Sequence, residues 1–334
     1  MRSLIVGFSE VRHKIADIPE AVALITLVII FLIFSFSTRG FLSAYSLSNI
    51  LTFGGIFGII VIGVAFLMIS GEFDMSVGST LAVASYVFVL ALLAKIPPIL
   101  AMGLALVVSS LLGLVNGLVV VHSEIPSFIA TLGTMFAYRG LARILGKGYA
   151  VAYTPEKMPE LFTYLNGYLT SINQLFSPAG NLRASSFWFI GLVVLMSIVL
   201  MRTAYGNWTF ATGGNPNAAL SQGIDVKKVK VINFMLSGFL AGLTGVLIFA
   251  QRNSATPLAG LGIELIAVAA SVIGGVRLEG GYGTIAGASI GMLLMSTLEQ
   301  GLALMGIPNE IFRAVAGFII ILSVIANTYI SKKG

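Results

Sequence analysis

Long apolar runs, separated by short polar stretches, limit more than any other feature how this chain can fold. A helix that crosses a membrane needs about 20 mainly apolar residues, because the hydrocarbon core is about 30 Å thick. Such a run must be helical there, since its backbone groups find no water to bond. We therefore predict an all-α fold, a polytopic membrane bundle of about ten transmembrane helices. The predicted spans lie near 18–37, 48–70, 75–94, 97–121, 127–145, 185–203, 231–251, 262–276, 284–303 and 310–330.

The composition excludes a soluble fold. Charged residues make up 10% of the 334 residues and hydrophobic residues 57%, whereas soluble domains carry roughly 25% charge. So few charges cannot cover a water-facing surface, and membrane lipid must be the main solvent. The net charge of +6 comes from basic residues that stand singly between apolar runs. That pattern is typical of the flanks of membrane spans and not of a nucleic-acid site.

The basic segments predict the orientation. Lysine and arginine are in excess on the cytoplasmic side of membrane proteins, and they mark the N-terminal arm, the C-terminus and the 204–230 loop. Placing all three in the cytoplasm requires an even number of spans, and the 146–184 loop then faces outward. Two halves of five spans would start on opposite sides of the membrane, so this topology permits an inverted repeat.

Glycines spaced four residues apart predict close helix packing. Gly113 and Gly117 form one such pair, and Gly238 and Gly242 form another. Small residues let helix backbones approach where lipid supplies no hydrophobic drive for association. The bundle is therefore expected to be compact.

The motifs of an enzyme are missing from the sequence. No Gly-x-x-x-x-Gly-Lys-Ser/Thr loop is present, so the chain cannot cradle ATP in the usual way. There are two histidines, no cysteine and no clustered carboxylates. We expect no catalytic residue, no bound metal and no cofactor. Arg139 and Arg143, one helical turn apart near the end of a predicted span, are expected to extend to the membrane surface.

The 204–230 loop contains the local signals of a short surface helix. Asn215 suits the N-cap and Pro216 the first helical position, where its missing N–H costs nothing. The helix body would cover 217–221, and Gly223 suits its C-terminal stop. Flexible turns are expected on both sides of it. A plain connector would be shorter and more polar, so the loop predicts a docking role.

Five stretches of the chain resemble, in order and spacing, the permeases of ribose-type sugar ATP-binding-cassette importers, in the branched-chain amino acid and sugar permease superfamily. They are 70–79, 125–133, 211–219, 264–275 and 280–284. The first reads Ser-Gly-Glu-Phe-Asp-Met-Ser-Val-Gly-Ser, where Glu72 adds a carboxylate to a usual Gly-Ile-Asp-Leu pattern. Gln222 stands where a small residue is usual, and the 146–184 loop is longer and poorly matched.

The resemblance implies one permease domain over residues 1–334 that dimerises, as a homodimer, in a bacterial inner membrane. Each subunit would rest on a cytoplasmic ATPase that uses ATP and magnesium, while this chain binds no cofactor. A periplasmic or lipid-anchored sugar-binding protein would deliver the solute. The 204–230 loop would be the coupling segment, which fits a groove on the ATPase. Its residues that match the family are Gly213, Gly214, Asn215, Ala218, Ala219, Ser221, Gly223 and Ile224.

The expected mechanism is alternating access, with the surface helix as a lever moved by the ATPase. Polar residues within the spans predict a solute path, although they could instead form interhelical hydrogen bonds: Asn49, Asn116, Thr131 and Asn233. No basic residue is central in a span, so the predicted solute is a neutral ribose- or xylose-like sugar or a polyol. The alternatives are an ion-coupled secondary transporter, a nucleoside or amino-acid permease of the same superfamily, and a membrane scaffold.

Overall fold

The computed structural model describes residues 19–177, 179–308, 311, 312, 314, 315, 317 and 318. Its helices are α1 (Pro19–Ser37), α2 (Ala44–Ile69), α3 (Val77–Leu93), α4 (Pro98–Ser123), α5 (Ser127–Leu145), α6 (Glu160–Asn166), α7 (Thr170–Asn173), α8 (Ser185–Arg202), α9 (Ala204–Gly214), α10 (Pro216–Ser221), α11 (Val226–Arg252), α12 (Ile263–Ile273) and α13 (Ile285–Leu304). Two short strands, β1 (Val151–Ala152) and β2 (Ser254–Ala255), pair antiparallel.

Five of these helices are long and apolar enough to cross a membrane: α1, α2, α4, α8 and α11. Only 11% of an 18-residue apolar stretch in α1 is buried in the protein, and 28% of the corresponding stretch in α8. Their remaining apolar surface would be costly to leave in water, so it faces lipid. Helix α2 lies at the centre of the bundle, since 83% of its 18-residue apolar stretch is buried. The predicted all-α polytopic membrane bundle is confirmed.

Nine predicted spans coincide with helices of the described residues, and the last, near 310–330, lies mostly outside them. Two of the nine differ from the prediction. Helix α11 begins at Val226, so the lysines placed in a loop lie on its first turns. Helix α12 has 11 residues, a length of about 16 Å that is too short to cross the hydrocarbon core alone.

The non-helical segment 253–262 packs against the first turn of α3 and against α5. A Cβ atom on Gly78, in the first turn of α3, would lie 2.2 Å from the Gly260 carbonyl oxygen. Arg139 on α5 donates to the carbonyl oxygens of Pro257 and Ala259, over 2.9 and 2.7 Å. The expected extension of this side chain to the membrane surface stays a prediction. Carbonyl groups outside the regular helices need other donors, and Arg139 supplies them at Pro257 and Ala259.

The glycine pairs pack helices closely, as predicted. A Cβ on Gly113 of α4 would lie 2.2 Å from the Phe234 oxygen of α11, and one on Gly238 would lie 2.4 Å from the Ser109 oxygen of α4. Helix α2 also packs on α13, where a Cβ on Gly54 would lie 2.9 Å from the Ser296 side-chain oxygen. The second helix of each predicted half thus packs on the fourth helix of the other half. This reciprocal packing is compatible with an inverted repeat, which stays a prediction.

The 146–184 loop is folded against the bundle. Strand β1 pairs with β2, which follows α11, with Val151 opposite Ala255. Tyr86 on α3 donates its hydroxyl to the Tyr149 oxygen over 2.7 Å, and Phe162 of α6 is buried among core residues. These contacts fix the loop at the end of the molecule where α2 begins.

Candidate functional site

The predicted coupling segment, 204–230, consists of α9, α10 and the first turns of α11. The Asn215 side chain accepts from the Ala218 N–H over 3.0 Å, and Pro216 occupies the first turn of α10. Gly223 follows with φ +81°, a left-handed conformation that glycine adopts at little cost. The predicted cap, helix and stop are confirmed. The flexible turn expected before Asn215 is wrong, because α9 is helical to Gly214.

The coupling segment has an exposed face. Five of its eight family-matching residues are exposed, namely Gly214, Asn215, Ala218, Ser221 and Gly223, while Gly213 and Ile224 are half-buried and Ala219 is buried. Leu220, which the motif did not single out, is 54% exposed. A short capped helix with an exposed apolar side chain suits insertion into a groove on a partner. Contact of these residues with an ATPase stays a prediction.

A cluster of glycines joins the coupling segment to two distant parts of the chain. We call it the glycine junction: Gly71, Gly213, Gly214, Gly280 and Gly281. A Cβ on Gly213 would lie 1.9 Å from the Ile69 oxygen, and one on Gly281 would lie 2.5 Å from the Gly214 Cα. The Gly281 N–H donates to the Ile69 oxygen over 2.8 Å. Since no side chain lies between these backbones, a displacement of α9 must reach the end of α2 and the turn before α13.

Two side-chain contacts also hold this end of the bundle together, in addition to the glycine junction. Burial raises the pKa of the Tyr205 phenol, which keeps its proton and donates to Asn233 Oδ1 over 2.6 Å. Lys230, on the first turns of α11, forms an ion pair with Glu72, the carboxylate that departs from the family pattern. Asn233, a predicted path residue, thus bonds the coupling segment to α11.

A buried carboxylate organises the 70–76 segment. Asp74 is 1% exposed, and its Oδ1 accepts from the Ser76 N–H, the Ser76 hydroxyl and Asn116 Nδ2, over 2.9, 2.7 and 3.3 Å. Its Oδ2 accepts from the Ser237 hydroxyl over 3.0 Å. Tyr138 donates to Asn116 Oδ1 over 3.0 Å. Asp74 therefore connects this segment to α4 and α11, a role that sequence reasoning missed.

Thr131 supports the same segment. Its hydroxyl accepts from the Met75 N–H over 3.0 Å and donates to the Ser127 oxygen over 2.7 Å. Asn116, Thr131 and Asn233 are thus all buried and hydrogen-bonded across elements, which is the alternative that the sequence left open. Their place in a solute path stays a prediction.

A cavity of about 720 Å³ lies between α2, α11, α12 and α13, at the end of α2 opposite the glycine junction. Asn49, the remaining path residue, lines it together with amide side chains at Asn181, Gln251 and Gln300. Asn181 comes from the 146–184 loop, which the sequence matched only poorly to the family pattern. From Asn49 to Ile69 the helix rises about 30 Å.

Comparisons with known proteins identify the family of the chain. Residues 46–324 match the family described as the permease component of the branched-chain amino acid transport system. The chain belongs to this family. The permease is 31% identical over 316 residues to the ribose import permease protein RbsC of Haemophilus influenzae, covering 94% of both chains. The predicted resemblance is confirmed.

Other relatives extend the same comparison. The permease is 33% identical to RbsC of Bacillus subtilis over 300 residues, 90% of this chain and 89% of the relative. It is 31% identical to the xylose/arabinose import permease protein XylH of Sulfolobus acidocaldarius over 319 residues, 91% and 83% of the two chains. No solved structure matches the chain.

Proposed function

We propose that this permease is the membrane-spanning subunit of an ATP-binding-cassette importer for a small neutral sugar or polyol. The observation that carries the proposal is the exposed, capped helix α10, which directly follows α9, together with the glycine at the end of α9 that contacts the end of α2. A surface helix that only connected two spans would not need this contact. The relatives named as ribose and xylose/arabinose permeases support a sugar as the solute.

The proposed work is divided between subunits. A separate cytoplasmic ATPase binds ATP and magnesium, and this chain binds neither. A second copy of the permease completes a homodimer, and a periplasmic or lipid-anchored sugar-binding protein delivers the solute. The subunit lies in the bacterial inner membrane with both termini in the cytoplasm, as its basic segments favour.

The proposed mechanism is alternating access. When ATP brings the two ATPases together, each presses on α10, and the glycine junction carries the displacement to α2 and α13. Both helices line the cavity, so its opening changes with the position of α10. The binding protein can favour the outward-open form only by binding that form more tightly.

Uptake into sealed vesicles tests the proposal. Sealed vesicles that contain the permease with its ATPase and binding protein should take up and concentrate radiolabelled D-ribose or D-xylose. This uptake should require ATP on the side of the membrane where the ATPase lies. An uncoupler should not affect it. The control is the same complex with a hydrolysis-deficient ATPase. Uptake by the permease alone, or uptake that an uncoupler abolishes, would instead support an ion-coupled transporter.

The family description favours one second candidate, a branched-chain amino acid permease. Excess unlabelled L-leucine should leave the uptake of D-ribose unchanged if the solute is a sugar. Uptake of L-leucine without uptake of either sugar would support the second candidate.

A further inference from the structure

One residue of the 146–184 loop is built into the wall of the cavity. The Asn181 N–H donates to the Ser48 hydroxyl over 2.6 Å, and its carbonyl oxygen accepts from the Thr52 hydroxyl over 2.9 Å. Its side-chain Nδ2 donates to Asn49 Oδ1 over 2.7 Å. Three bonds to successive turns of α2 hold Asn181 in one position.

The amide pair retains hydrogen-bonding capacity toward the cavity. An asparagine amide offers two donors and one acceptor oxygen, and within the described part of the chain no bond uses Asn181 Oδ1 or Asn49 Nδ2. Where Asn49 and Asn181 meet, the Asn49 Nδ2 donor and the Asn181 Oδ1 acceptor therefore remain available to a solute. A hydroxyl group, which both donates and accepts, fits that pair.

An apolar wall complements these polar groups. Phe53 and Phe57 also line the cavity, with ring centroids 4.7 Å apart and planes at 59°. The C–H face of a sugar ring can pack on such a wall while its hydroxyls bond to the amides. Among the described residues that line the cavity, one is basic and one acidic, Arg252 and Glu299, and this balance does not favour an ion of either sign.

The size and position of the cavity suit a small solute that arrives through the loop side. Its volume of about 720 Å³ falls within the roughly 300–1,000 Å³ of small-molecule sites. It lies at the first turns of α2, whereas the coupling segment lies at the other end. In the proposed orientation the cavity faces the binding protein.

We propose that this cavity is the solute-binding chamber of the permease and that Asn181, with Asn49, determines which neutral polyhydroxylated solute it accepts. The proposal rests on the proposed function and adds a site to it. It also gives the poorly matched loop a role, because that loop supplies Asn181. Two permeases with similar membrane helices could then select different solutes, because their 146–184 loops differ.

Single-cysteine labelling tests the location of the chamber. The chain contains no cysteine, so Phe53→Cys, Thr256→Cys and Gln300→Cys each introduce a unique thiol in the lining. In the complete transporter, a membrane-impermeant methanethiosulfonate reagent added from outside should modify all three. D-ribose or D-xylose is then added together with the binding protein, at ten times the dissociation constant of the sugar for the transporter. The rate at which the reagent modifies each lining cysteine should fall about tenfold.

Two further positions serve as controls. Leu51 is 46% exposed on α2 but does not line the cavity, so Leu51→Cys should face lipid and resist the reagent. Glu156 is exposed in the 146–184 loop, so Glu156→Cys should react at the same rate with and without sugar. Lining cysteines that react at a sugar-independent rate, or not at all, would overturn the proposal.

A selectivity measurement tests the role of Asn181. Asn181→Ala should change the ratio of D-ribose to D-xylose uptake by about 3- to 10-fold, the effect of losing one hydrogen bond to the solute. A variant that merely impaired folding or docking would reduce both uptakes equally. Lys157→Ala, exposed in the same loop, should leave the ratio unchanged.

The outcomes separate the two proposals. If the wild-type complex shows no ATP-dependent uptake of sugar, the proposed function fails and the chamber fails with it. If the wild type transports sugar but Asn181→Ala keeps the wild-type ratio, the proposed function stands and Asn181 does not determine selectivity.

Discussion

The two ends of α2 are built in different ways. At Ile69 the glycine junction places backbones in direct contact, with no side chain between them. At Asn49 the helix meets its neighbours through side-chain hydrogen bonds around a cavity. Close-packed backbones have no room to adjust, whereas side chains can change rotamer. One end is therefore suited to transmit a displacement and the other to accommodate a solute.

The largest effect should follow from adding one methyl group to the glycine junction. Gly213→Ala would place Cβ 1.9 Å from the Ile69 oxygen, and the resulting shift should lower the free energy of unfolding by about 3 kcal/mol. Thermal unfolding in detergent measures it. Gly191 on α8 has open space around its Cβ position, so Gly191→Ala should be neutral or stabilising by up to about 1 kcal/mol. If Gly213→Ala and Gly191→Ala unfolded at the same temperature, the glycine junction would have to be able to adjust to the added methyl group.

The next effect concerns the buried carboxylate beside the junction. Asp74→Ala leaves buried donors on Ser76, Asn116 and Ser237 without their acceptor, and should destabilise the protein by about 2 kcal/mol. Asp74→Asn keeps one acceptor oxygen and should lose less. Chemical denaturation of both variants compares them, and equal losses would argue against the hydrogen-bond network.

A smaller effect is expected when only the exposed face of the coupling segment changes. The Gly214 Cβ position meets no atom closer than Gly281 Cα at 3.7 Å, so Gly214→Arg should fold normally. The arginine would obstruct the proposed groove, and co-purification with the ATPase should fall about tenfold, equivalent to 1.4 kcal/mol. Ser123→Arg, exposed at the end of α4, is the matched control. Undiminished co-purification would contradict docking at this face.

The smallest effect should come from the ion pair. Glu72 and Lys230 are partly buried, so Glu72→Gln and Lys230→Gln should each destabilise by about 1 kcal/mol. A double-mutant cycle should give a coupling energy of about 0.5–1 kcal/mol. Lys228→Gln changes an exposed lysine and should have no effect. If the stability losses of the two single variants simply added in the double variant, the Glu72–Lys230 ion pair would not stabilise the coupling segment.

Prediction from sequence succeeded where the deciding physics is local. Helices such as α1 and α8 follow from apolar runs of sufficient length, because lipid requires internally bonded backbone. Helix α10 follows from Asn215 and Pro216, whose capping acts within one turn. The candidate path residues were harder to assign. A buried asparagine can line a path or bond to another helix, and the identity of its neighbours decides which.

The amino-acid sequence by itself determined that this chain is a membrane bundle with a capped surface helix, because hydropathy and capping depend on nearby residues. Only the tertiary structure decided that Gly71, Gly213 and Gly281 meet, that Asp74 bonds to α4 and α11, and that Asn181 reaches the cavity. These contacts join residues far apart in the chain. They depend on how the helices pack, which no local pattern specifies.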